Sequence, residues 1–436
     1  MRKRILAIAM ALCLIITLLP ATALAADGDA ITIGGVELSG SADSPAYAAT
    51  DESGAVTKQE DTEGATITWD GETLTLNNAT IKGNSGQGIV YRDGDLTISL
   101  EGTNKIGKEN DGNSAGSGIH VDGSLTVEGG GTLDVVGLNR GITAGSVTFN
   151  GGTVNAAASA DAVSSKDLAG IYAFDSGGVT VTGGTVYAEA EGSGGRGIWT
   201  PSGGVTVNGG SVTATGQGNG IEAHGDVNIS GGTVKAEGKN VGIFVAPHQG
   251  SGIKITGGEV TVTGGFNVNV TIEPEKDTAI TVEYGDSASE CEPRTFIYND
   301  SYTYITKHNY FHSSTETDIS KLANITVGGV GLYGTDYRIA YAKTDGDGKV
   351  TTEGATANDY NIKWDGTTLT LKGATIIAGN SDNGIVYKVT SPITIQLEGE
   401  NTVTGSSGIR TNESGENLTI SGGGTLNVNG VVSHAI

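Results

Sequence analysis

The side chains best suited to recognition chemistry occupy one recurring place in this sequence, the position after a Gly-Ile pair: His120, Thr143, Tyr172, Trp199, Glu222 and Phe244. If the Ile of each pair points inward along a strand, the next residue points outward, because strand side chains alternate between faces. Copies of such a strand stacked in parallel lie roughly 4.8 Å apart, close to the rise of one sugar in an extended polysaccharide. Tyr172, Trp199, Glu222 and Phe244 then form a candidate carbohydrate-binding strip, with rings that stack on sugar rings and an acid that accepts a hydroxyl hydrogen bond. The same row also reads as an aromatic ladder that buttresses neighbouring loops, and both readings stand on the sequence.

Other chemistry has less to build on. Asp345-Gly346-Asp347-Gly348 resembles part of a calcium loop, but Lys343 falls where the first ligand would be and Gly354 where a bidentate Glu should close it. The equivalent earlier segment reads Asp51-Glu52-Ser53-Gly54, and Gly129-Gly130-Gly131-Thr132-Leu133-Asp134 misses the glycine of the calcium nonapeptide. A solvated acidic hairpin is the expected state at Asp345; no cofactor is assigned, and calcium is the one cation left open. The six histidines are scattered without ligand spacing, which argues against zinc. Cys291 has no partner once Cys13 is removed with the leader described below, so there is no disulfide framework.

The residues of the strip need elements to position them, and internal repeats supply these. The unit is Gly-Ile, a few residues, apolar-Thr-apolar, then often Gly-Gly-Thr-Val, as at Gly141-Ile142, Val147-Thr148-Phe149 and Gly152-Thr153-Val154. From Gly88 the successive Gly-Ile glycines lie 30, 23, 29, 27, 23 and 22 residues apart. The tightest turn, Gly220 to Val241, predicts three short strands: Ile221 with Ala223, Val227 with Ile229, and Val234 with Ala236 face inward. Between them, His224-Gly225-Asp226 and Ser230-Gly231-Gly232 read as corners that use positive φ. Three strands and three corners make a coil, and no coil buries its apolar face alone. Stacked coils share one core, which predicts a right-handed parallel β-helix, a β-solenoid of the all-β class. The longer segment Ala156 to Asp167 reads as a loop leaving a corner. Leucine-rich repeats share the period, but their leucine ladder with an Asn or Cys position is missing.

A longer repeat overlies the first. Ile31-Thr32-Ile33-Gly34-Gly35-Val36 returns as Ile325-Thr326-Val327-Gly328-Gly329-Val330, Trp69-Asp70-Gly71 as Trp364-Asp365-Gly366, and Gly88-Ile89-Val90-Tyr91 as Gly384-Ile385-Val386-Tyr387. Two tandem solenoids are therefore expected, the second truncated. The expected divisions are a signal peptide at 1–25, an N-terminal cap at 26–66, a first solenoid at 67–265, an irregular cap or linker at 266–324 and an incomplete second solenoid at 325–436. In the linker the glycine rhythm fades while Tyr298, Tyr302, Tyr304, Tyr310 and Phe311 cluster, as suits a cover for an open strand edge. His434-Ala435-Ile436 aligns with Arg140-Gly141-Ile142, where another coil would start, and so a fragment of a longer chain is expected.

Arg2, Lys3 and Arg4, an apolar run to Leu19 and Ala23-Leu24-Ala25 have the layout of a secretory leader. No later run is apolar enough to span a bilayer as a helix. Losing the leader moves the formal net charge from −24 to −27, which favours solubility and argues against nucleic acid as a partner. With 72 glycines and only seven prolines, without a three-residue period, the chain is not collagen-like.

Trp69-Asp70-Gly71 with Leu74-Thr75-Leu76, Leu100-Glu101-Gly102-Thr103-Asn104, Leu125-Thr126-Val127-Glu128-Gly129-Gly130-Gly131-Thr132-Leu133 and the later Gly-Gly-Thr-Val turns resemble the β-helical "carbohydrate-binding domain-containing" surface proteins secreted by Gram-positive bacteria. Leu397-Glu398-Gly399-Glu400-Asn401 and Leu418-Thr419-Ile420-Ser421-Gly422-Gly423-Gly424-Thr425-Leu426 repeat the pattern, so the resemblance covers nearly all of the chain after residue 25. It implies a pectate-lyase-like helix at the cell surface with polysaccharide or calcium binding rather than turnover. The residues themselves argue the same way. Lyase chemistry needs a carboxylate cluster beside an Arg base, and hydrolysis needs paired acids across a cleft. After the leader the arginines are Arg92, Arg140, Arg196, Arg294, Arg338 and Arg410, and no Asp-Asp dipeptide occurs. The expected function is non-catalytic binding of an extracellular polysaccharide; the alternatives are a structural adhesin stalk and, less well supported, a polysaccharide lyase or hydrolase. In the second copy the positions matching the strip hold Val386 and Arg410.

Overall fold

The structure, a computed structural model, describes residues 30–84, 87–107, 116–159, 167–246, 251–275, 278–285, 292–297, 304–305, 309–316, 324–334, 339–379, 382–388, 392–411 and 418–436. The expected leader at 1–25 lies outside them, as do Cys291, Tyr298, Tyr302, Arg338 and much of the loop before Asp167. The chain divides into two compact units, Met1–Thr315 and Glu316–Ile436. Strands are the only regular element among the described residues, so none of these residues forms a helix long and apolar enough to cross a membrane.

Alternating apolar residues dictate the coil. In the tightest one, Asn219–Ala223, Val227–Ile229 and Thr233–Gly238 are the three strands, and Ile221, Ala223, Val227, Ile229, Val234 and Ala236 are all buried. Each strand pairs in parallel with its counterpart one coil on: Ile221 with Ile243, Val227 with Ile253, and Val234 with Val260. Ile119, Val127, Ile171, Val181, Ile198 and Val207, expected inside, are also buried. The first unit is thus a parallel β-solenoid with sheets of nine, thirteen and eleven strands, here called the first, second and third. One apolar column runs through it from Ile31 to Phe311.

The corners depart from expectation in an informative way. Gly232 has φ +72° and needs the left-handed region, as the sequence suggested. Gly220 and Gly225 do not. Gly220 is required for space instead: a Cβ there would sit 2.7 Å from both Glu237 N and the Gly242 carbonyl. The glycine of the Gly-Ile pair lets the first strand of one coil press against the third.

Antiparallel strands close both ends. Ala30–Ile33 pairs antiparallel with Ile89–Tyr91, while Ala46–Thr50 pairs with Ile67–Trp69, which in turn runs antiparallel to Thr73–Asn77. Parallel pairing in the second sheet begins at Thr73 with Leu96–Glu101. Trp69 is fully buried and meets Tyr91 edge-on at 5.3 Å, plugging the mouth of the core. At the other end Val270–Ile272 is still parallel, whereas Tyr304–Ile305 and Tyr310–Glu316 lie antiparallel on the last strands of the second and third sheets. Phe311 is buried there, edge-on to Phe266 at 5.0 Å.

The Leu-Glu-Gly-x-Asn motif also acquires a cause. Asn104 is fully buried near the start of the strand Thr103–Gly107, where its Oδ1 accepts from Ala79 N and its Nδ2 donates to the Glu101 and Thr132 carbonyls, stitching three successive coils. In the second unit Asn401 repeats this with Ala374 N and the Glu398, Gly399 and Thr425 carbonyls. That unit has its own core and opens in the same way: Ile325–Val327 runs antiparallel to Ile385–Tyr387, and parallel pairing starts between Thr368–Lys372 and Ile393–Glu398.

Two substitutions probe this architecture. Ile221→Asp places an unpaired carboxylate in a core one coil wide and is expected to cost several kcal/mol, read as loss of cooperative thermal unfolding. Asn104→Ala removes the stitch and leaves buried backbone groups unpaired, with an expected loss of about 2–4 kcal/mol in denaturant titration.

Candidate functional site

The outer face of the first sheet carries the candidate row. Register pairs His120 with Thr143, Thr143 with Tyr172, Tyr172 with Trp199, Trp199 with Glu222, and Glu222 with Phe244. Tyr172, Trp199, Glu222 and Phe244 therefore stand on four successive coils in one column. A second column, from the residue before each Gly-Ile, runs beside it through Ser117, Arg140, Ala169, Arg196, Asn219 and Val241.

The two columns interlock. The Arg140 guanidinium lies 3.8 Å over the Tyr172 ring, and that of Arg196 lies 4.1 Å over Trp199. Tyr172 and Trp199 contact each other at 4.7 Å with a 52° tilt. Such cation-ring contacts are strongest where water is partly excluded. Burial draws the Arg140 guanidinium below its ordinary value and the Arg196 cation adds to this, with Tyr172 and Asp167 opposing; it stays charged at neutral pH.

Glu222 is buried, and its Oε2 accepts from Arg196 Nε at 2.6 Å and Asn219 Nδ2 at 2.7 Å. Arg196 and Glu222 are 26 residues apart in sequence but on adjacent coils, so the lack of a neighbouring carboxylate along the chain does not hold across it. Two donors of the cluster, Arg140 Nε and Trp199 Nε1, are buried without a hydrogen-bond partner among the described residues. Nearer the N-terminus the row turns polar: Thr143 hydroxyl bonds Ser117, and His120 bonds Asp122. In the second unit, Val386 and Arg410 pair in the matching row.

Arg140, Arg196 and Asn219 are the members that sequence reasoning missed. Their signal was the same register rule applied three residues earlier, before the Gly-Ile rather than after it. The calcium candidates resolve into turns. Asp345 Oδ1 accepts from Asp347 N and Lys349 N, and Asp51 Oδ1 accepts from Ser53 N and Ala55 N. Among the described residues no three His, Cys, Asp or Glu side chains group to hold a metal ion.

The family of carbohydrate-binding domain-containing proteins matches residues 71–320, more than half of the chain and all of the row. The chain belongs to this family. No curated protein and no solved structure matches it. Within this carbohydrate-binding family member the match starts where Trp69-Asp70-Gly71 turns into the first parallel strand, through Asp70 Oδ1 accepting from Glu72 N and Thr73 N.

The Arg196–Glu222 pair is less than a fifth exposed on either side, so its loss should register in stability. Arg196→Ala and Glu222→Ala are each expected to cost about 1–3 kcal/mol. In a double-mutant cycle by chemical denaturation the pair should lose less than the sum of the two.

Proposed function

We propose that this protein is a non-catalytic polysaccharide-binding module acting outside the cell, and that the outer row of the first sheet is its glycan contact. The observation that carries this reading is the column Tyr172, Trp199, Glu222 and Phe244 standing in register on four successive coils of the first sheet. Rings at one-coil spacing offer surfaces for successive sugars. Family membership supports the ligand class, and the leader pattern of residues 1–25 supports the extracellular location. Glu222, tied to Arg196 and Asn219, holds the row in shape.

A second reading, a structural stalk in which the row is a ladder, is favoured by Arg140 and Arg196 lying over the rings that sugars would use. One experiment separates the two. In native gels cast with soluble polysaccharides, Trp199→Ala is expected to migrate faster than wild type in any gel that retards the wild type, with Glu222→Ala giving the smaller effect and melting temperature nearly kept for Trp199→Ala. Equal mobility together with a lowered melting temperature for Trp199→Ala would establish the ladder.

A further inference from the structure

The third sheet presents a different surface. Its five central strands, Thr132–Gly137, Thr153–Ala158, Thr185–Ala190, Ser211–Gly216 and Thr233–Gly238, are six residues each and pair in unbroken parallel register. The outward column at the third position of these strands reads Asp134, Asn155, Tyr187, Thr213 and Lys235. Tyr187 is 47 % exposed, the one large apolar side chain that open among the described residues of the first unit. Its axial neighbours, Asn155 and Thr213, are short, so the ring stands above them. No ring, cation or hydrogen-bonding group among the described residues engages it, in contrast to Tyr172 and Trp199, which rings and guanidinium groups cover.

A lone exposed aromatic is ordinary on a protein surface. What distinguishes Tyr187 is the frame around it. Two coils to one side Asp134 accepts a hydrogen bond from Asn155 Nδ2, and two coils to the other Lys235 pairs with Glu237 at 2.8 Å on the surface. Lys235 is neutralised by Glu237, whereas Asp134 keeps its charge beside the neutral Asn155 amide, and this residual negative charge disfavours an anionic polysaccharide and suits a neutral one rich in hydroxyls. The column spans four coil spacings, about 19 Å, or about four sugars of an extended chain lying along the solenoid axis. We propose that the outer face of the third sheet is a second glycan-binding surface, taking a neutral, extended polysaccharide with Tyr187 stacked on a central sugar ring. The protein then grips polysaccharide on two faces, and neither site depends on the other.

The test uses the full chain in native gels cast with hydroxyethyl cellulose, xylan, laminarin or mannan. Wild type, Tyr187→Ala, Tyr187→Phe, Trp199→Ala and the Tyr187→Ala/Trp199→Ala double variant are compared. Tyr187→Ala should weaken retention about three- to tenfold in at least one gel while Tyr187→Phe, which keeps the ring, stays near wild type. Its melting temperature should not change, since the ring contributes little to the core. Weakening by Tyr187→Ala with Trp199→Ala unaffected supports this surface and removes the first-sheet row. Weakening by Trp199→Ala with Tyr187→Ala equal to wild type in every retarding gel overturns this inference and leaves that row standing. Wild type unretarded in all four gels overturns both.

Discussion

The structure depends on one constraint: a core a single coil wide has to be filled in register by every coil that joins it. Ile119, Ile142, Ile171, Ile198, Ile221 and Ile243 stack directly on one another, and a slip of one residue in any of them would turn an apolar side chain to water and a polar one into the column. Because inward positions are fixed, outward positions are fixed too. The outer faces are therefore sets of columns one strand spacing apart, and function on such a scaffold amounts to which residue each coil contributes to which column.

That scaffold explains how distant residues become a site. Arg196 reaches Glu222, and Arg140 reaches Tyr172, only because one coil returns the chain to the same place. On the first sheet the result is dense and mutually covered, arginine over ring and carboxylate under arginine. On the third sheet the short neighbours Asn155 and Thr213 leave Tyr187 open. The same architecture thus offers one interlocked face and one open face, and the distinction comes from side-chain size rather than from any change in backbone path.

Much of this was legible in the sequence because a period of apolar residues is a direct record of the core. The three strands of the Gly220 coil, the inward Ile and Val positions and the register of Tyr172 through Phe244 all follow from alternation. What escaped was interaction between coils. The Arg196–Glu222 pair and the Asn104 stitch join residues more than twenty apart, and no local pattern announces them until the coil length is known. The need for glycine at Gly220 is hidden for a related reason: its constraint is the neighbouring strand, not its own φ. Tyr187 lies outside the Gly-Ile pattern, because the third sheet's outward column follows Gly-Gly-Thr-Val.

The central claim, that outward columns advance by one strand spacing per coil, is tested most directly by dipolar electron spin resonance between nitroxide pairs on the outer column of the second sheet. With Cys13 and Cys291 replaced by serine, labels at Thr97→Cys and Lys254→Cys are six coil steps apart, and labels at Thr126→Cys and Lys254→Cys five. The account predicts distances near 29 Å and 24 Å, differing by about 4.8 Å. Two pairs at indistinguishable distances, or a difference of two strand spacings or more, would contradict it.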